Sequence, residues 1–112
     1  MIDQLKNKIR YGMEPNNPAL LSIWLAFEEG RCQKISPEEQ WKSYIGIVQF
    51  LLETFADTMN PDHWRVTCLD HIARPLCSLN RIVKRPQQQS ELQDLLSEIN
   101  VISHYFSPNF IK

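Results

Sequence analysis

The stretch from Trp41 to Phe55, WKSYIGIVQFLLETF, reads as a helix that is apolar on nearly every side, in a chain of only 112 residues. On a wheel of about 100° per residue, Trp41, Tyr44, Ile45, Val48, Leu51, Leu52, Phe55 and Met59 form one broad stripe, the expected core face. Opposite lie Ser43, Gly46, Phe50, Thr54 and Asp57, with Ile47 on their flank. A helix apolar all round has to be covered on both sides, and that demand constrains the fold more than any other feature. One solution is a central helix with neighbours from its own chain on both sides, Gly46 letting another backbone approach. The other is cover from a second copy or a different protein. In that case Gly46, Ile47 and Phe50 form a self-association patch and the chain is a homodimer.

Capping signals divide the rest of the chain. Asn17-Pro18, Ser36-Pro37 and Asn60-Pro61 each set a capping side chain before a proline at a first helical position. Ser36-Pro37-Glu38-Glu39 also matches a capping box, and Ser90-Glu91-Leu92-Gln93 is a weaker version. Gly12 and Gly30 read as helix stops. The predicted fold is an all-α, antiparallel bundle forming a single domain over residues 1–112, since short connections favour antiparallel neighbours. It has four main helices, about 18–29, 37–58, 61–84 and 87–106, plus a short one at about 2–11. The 61–84 helix carries an apolar stripe that runs past Pro75, so the proline is expected to kink it.

Composition narrows the function classes. A formal net charge of −1 exerts no global pull toward nucleic acid or an anionic membrane. The 3 cysteines, Cys32, Cys68 and Cys77, are odd in number and widely spaced, which points to a reduced protein. The amino end, MIDQLKNKIRYG, offers no signal-peptide apolar block, and no apolar run nears the ~18–20 residues that span a bilayer. A cytoplasmic chain with no membrane contact is expected.

Motifs for chemistry are sparse. Cys68 and His71 share one side of a helix and could contribute to a metal site, but a structural zinc needs four ligands, no CxxC or HxxxH supplies the others, and His63 and His104 could join only by accident of folding. A buried thiol beside a surface histidine is the simpler reading; no metal and no cofactor are expected. Asp70 and His71 diverge by about 100° on a helix and cannot form a relay. There is no GxSxG, HExxH, P-loop or dinucleotide glycine pattern, so no enzyme is expected.

Charge distribution is more informative than its total. Residues 61–86 hold Arg65, Arg74, Arg81, Lys84 and Arg85 against Asp62 and Asp70, while Glu91, Asp94 and Glu98 follow on one stripe. Arg74, Arg81 and Arg85 share a helical face that could meet an acidic protein surface, with Trp64 beside it as an anchor. An antiparallel hairpin turning near Pro86 would instead pair that face internally with Glu91, Asp94 and Glu98, for little stability. The functional expectation is a small protein-binding regulator or adaptor: a chaperone-like factor, an inhibitor or a transcriptional modulator. The alternative is a nucleic-acid-binding regulator using Arg74, Arg81, Lys84 and Arg85 on phosphates. Against it, helix-turn-helix contacts come from the amino-terminal part of the recognition helix, where this chain sets Asp62, His63 and Arg65.

Overall fold

The computed structural model describes residues 2–107, which form helices and connecting turns with no strand among them. The helices are α1 (Ile2–Arg10), α2 (Ala19–Cys32), α3 (Pro37–Ala56), α4 (Asp62–His71), α5 (Ala73–Ile82) and α6 (Pro86–Tyr105). The Cα envelope measures 42 × 34 × 16 Å, a slab about two helices thick.

At the centre is α3, which packs against each of the other five helices. Its expected core stripe is inside: Trp41, Tyr44, Val48, Leu51, Leu52 and Phe55 are buried. The opposite side is covered too. Thr54 is fully buried, Ile47 is buried, and Phe50 is partly buried. The Phe50 ring lies 4.9 Å from the ring of Trp24 on α2, tilted by 50°, and Lys6 Nζ of α1 sits 4.9 Å from its centroid. Cover for the second side of α3 therefore comes from α1 and α2 of the same chain, the first of the two solutions. Gly46 is not part of that contact, because a Cβ built on it meets nothing within 4 Å. Met59, assigned to the core stripe, is 90% exposed because α3 ends three residues earlier, at Ala56.

Local signals were realised unevenly. Ser36 caps α3 as expected: its Oγ accepts from Glu39 N at 3.2 Å and donates to Glu39 Oε1 at 3.0 Å. Gly12 ends α1 with φ +55, the left-handed conformation glycine adopts without strain. Gly30 does not end α2, which continues to Cys32. Burial of Cys32 and a 2.7 Å bond from Gln40 Nε2 to its carbonyl oxygen outweigh the helix cost of about 1 kcal/mol for glycine. Asn17 and Asn60 are not side-chain caps. Asn17 donates to Glu14 Oε1 at 3.3 Å, while Asn60 Nδ2 reaches Arg10 O at 3.0 Å and Thr54 O at 3.1 Å. Buried Asn60 thus closes the carboxyl ends of α1 and α3. Ser90 lies inside α6, whose start is held by Gln88 Oε1, accepting from Lys84 N at 3.0 Å and Arg85 N at 3.2 Å.

The 61–84 helix is kinked: only Ile72 separates α4 from α5, and it keeps helical dihedrals (φ −62, ψ −29) and accepts from Leu76 N at 3.2 Å. Buried Pro75 lies in the first turn of α5; it has no N–H for the His71 carbonyl, and its ring crowds that carbonyl, which places the kink one turn before the proline. Ahead of the kink, Arg65 is 4% exposed. Its Nε donates to Phe55 O at 2.6 Å, another guanidinium nitrogen donates to Phe106 O, and the group lies 5.4 Å from the Phe55 ring. This one side chain joins the ends of α3 and α6 to α4.

Candidate functional site

The expected partner face is dispersed by the fold. Trp64 is fully buried and donates from Nε1 to Ile9 O at 2.8 Å, locking α1 onto α4. It is no surface anchor: its ring is turned inward against α1 and the Gly12 turn. Arg74 forms a two-pronged bond with Glu29 of α2, 2.8 Å on each arm, and the carboxylate raises its pKa. Among the described residues the internal pairing with Glu91, Asp94 and Glu98 does not form, and α6 packs chiefly on α3. Glu91 instead accepts from Trp41 Nε1 at 2.7 Å, and Arg85 meets Glu38 at 3.1 Å.

What remains of the basic stripe gathers at the α5–α6 turn. Arg81, Lys84 and Arg85 border a recess of about 260 Å³ that also includes Pro37, Gln40, Ile82 and Gln88. Among the described residues Arg81 has one side-chain hydrogen bond, to Ser78 Oγ at 3.3 Å, and the Arg85–Glu38 pair is open to solvent on both sides, so these cations are available to an acidic ligand.

The second surface went unrecognised as a site in the sequence. Ile23 and Phe27 of α2 are 57% and 48% exposed, an unusual position for large apolar side chains next to each other on one helix. Together with Ile2, Leu5 and Leu20 they line a groove of about 330 Å³ between α1 and α2, with Gln4 and Lys8 at its edge. Lys8 is held at 3.1 Å by Glu14, whose pKa is lowered mainly by that bond. On its other flank Phe27 borders a shallow recess with Ala26, Gly30, Arg31, Gln33 and Lys34. One signal was legible: no charge interrupts Pro18 to Phe27, PALLSIWLAF, so the first two turns of α2 have no charged face.

Gly46, Ile47 and Phe50 do not make a joint surface, since Ile47 points inward and Phe50 is sheltered by Trp24 and Lys6. Cys68 is fully buried and its burial pushes the thiol up to about 12, while His71 Nδ1 is engaged with Thr67 O at 2.8 Å. Among the described residues no group of three or more His, Cys, Asp or Glu side chains is placed to hold a metal ion. No helix there is long and apolar enough to cross a membrane.

No protein-family model, curated protein or solved structure matches this chain.

Proposed function

We propose that this chain is a small, non-enzymatic, cytoplasmic protein-binding regulator or adaptor that works through its helix surfaces as a homodimer. The observation that supports this reading is the uncovered apolar face of α2, where Ile23 and Phe27 stand open beside a groove. Apolar helix faces rimmed by polar side chains are what protein partners bury. The Arg81/Lys84/Arg85 corner is the second contact region, suited to carboxylates on a partner. Affinity purification from the native cytoplasm tests it, comparing wild type with the Arg81→Glu, Lys84→Glu, Arg85→Glu triple variant and with Phe27→Asp. A stoichiometric partner released by one of these changes is the expected result. Recovery of no partner, or of one indifferent to both changes, refutes it.

A second reading rests on the same corner: three cations on one turn could neutralise phosphates of a nucleic acid. Binding to arbitrary DNA or RNA that weakens steeply with salt, and disappears in the triple variant, would support this reading. Absence of binding at low salt removes it.

A further inference from the structure

We infer that the basic corner at the α5–α6 turn receives a phosphate monoester carried on a partner polypeptide, Arg85 exchanging Glu38 for the phosphate. The inference rests on the protein-binding reading above and names the group that its basic corner takes.

Arg81, Lys84 and Arg85 are exposed and border one recess, and no carboxylate lines it. Among the described residues Arg81 and Lys84 have no carboxylate partner, whereas Arg10, Arg31, Arg65 and Arg74 are each tied to one. Arg85 lies between these cases. It meets Glu38 at 3.1 Å, but both side chains stand in solvent, where such a pair contributes little and exchanges easily. Helices α3 and α6 both begin at this corner, at Pro37 and Pro86, and their amino ends add positive potential. Pro37 and Ile82 give the recess an apolar wall, which limits screening by water.

Which anion fits follows from charge and donors. A carboxylate brings one charge and two oxygens, which a single arginine fork satisfies. A phosphate monoester brings a charge of about −1.5 to −2 and three strong acceptor oxygens, so two guanidinium forks and an ammonium can share it. What carries the phosphate follows from a neighbouring recess of about 200 Å³, which shares Arg85 and Gln88 with the first. There Lys42 and Arg85 stand against Glu38 and Glu91, so the charges cancel, and Trp41 is part of the lining. An anion suits the first recess and an uncharged side chain the second, as one phosphorylated residue beside an ordinary one would present them. A nucleic acid would set a further phosphate near Glu38 and Glu91. The other paired arginines offer it no continuing track of free cations.

The test is an amide NMR titration of the full chain with four probes: a degenerate peptide pool around one fixed phosphoserine, the same pool with glutamate at that position, inorganic phosphate, and a dT oligonucleotide. The phosphoserine pool is expected to move the amides of residues 81–88 and to bind at least about fivefold more tightly than each of the other three. Arg81→Gln should weaken that binding at least about tenfold, because a charge-assisted fork is lost. Glu38→Gln should strengthen it about two- to fivefold by releasing Arg85, a gain that a merely structural role for Glu38 would not give. Circular dichroism checks the folding of both variants. Equal affinity for the glutamate pool overturns the phosphate, equal affinity for inorganic phosphate overturns the polypeptide carrier, and tighter binding of the oligonucleotide overturns both. No response at residues 81–88, or a Glu38→Gln variant that binds no more tightly than wild type, overturns the exchange at Arg85. A partner released by the triple variant in the affinity purification would keep the protein-binding reading standing in each of these cases.

Discussion

The position that best separates local from tertiary reasoning is Asn60. Taken as a helix cap before Pro61, it should tolerate serine with almost no loss, because the two residues cap equally well. The structure gives it another role. Its Nδ2 spans two carboxyl-terminal carbonyls, Arg10 O at 3.0 Å and Thr54 O at 3.1 Å, from a site only 5% exposed. Serine is too short to reach both and has one hydrogen to donate. Arg10 O would then lose its donor, while Thr54 O would keep the longer bond from Asp57 N at 3.4 Å. Losing the part-buried bond to Arg10 O and weakening the buried one at Thr54 O cost about 0.5–1.5 kcal/mol each, so Asn60→Ser should destabilise the fold by about 1–3 kcal/mol. With a urea slope of about 1.5 kcal/mol/M for a small domain, the unfolding midpoint falls by about 1–2 M. Equilibrium denaturation followed by tryptophan fluorescence measures it. A serine variant within about 0.5 kcal/mol of wild type would return Asn60 to the capping role and refute the double closure.

Four further outcomes follow from particular contacts. Gly46→Ala should stabilise by about 0.5–1 kcal/mol in the same assay, since the new methyl meets nothing within 4 Å inside a helix. Gly12→Ala should destabilise by more than that, because φ is +55 and the methyl would lie 3.1 Å from Asn60 Oδ1 and 3.2 Å from Trp64 Cδ1. In the native chain Cys77 alone should react quickly with a thiol reagent: Cys32 and Cys68 are buried, burial raises both their pKa values, and all three should react in urea. Asp57 has its pKa lowered chiefly by the Arg10 bond at 2.7 Å and then by the Met59 N–H at 2.9 Å. Its contribution, about 1 kcal/mol, is therefore present above the carboxyl's unfolded value and is lost as pH falls through the lower folded one. Asp57→Asn should flatten that part of the stability–pH curve, and an unchanged acid slope would dismiss the pair.

Helical class, the approximate places of the helices and the demand that α3 be covered on both sides were all legible in the sequence. These features depend on residues near one another along the chain: the 3.6-residue period of apolar side chains, the Ser36 cap, the loss of a donor at Pro75. Which partner each side chain takes was decided only in three dimensions. Phe50 shows how far local reasoning reaches: the wheel set it on the second face of α3, but nothing near it in sequence could say that Trp24 and Lys6 would arrive to shelter it. Arg74 and Trp64 behaved similarly, one drawn to Glu29 across 45 positions and the other to Ile9 across 55. Periodicity assigns a residue to a face, whereas hydrogen bonds and ion pairs are set by which helices become neighbours. Here the leaning of α6 on α3 left the acidic stripe away from the basic one, and the kink at Ile72 set the course of α5. Burial of whole apolar faces chose that arrangement, and the polar side chains paired with what it brought within reach.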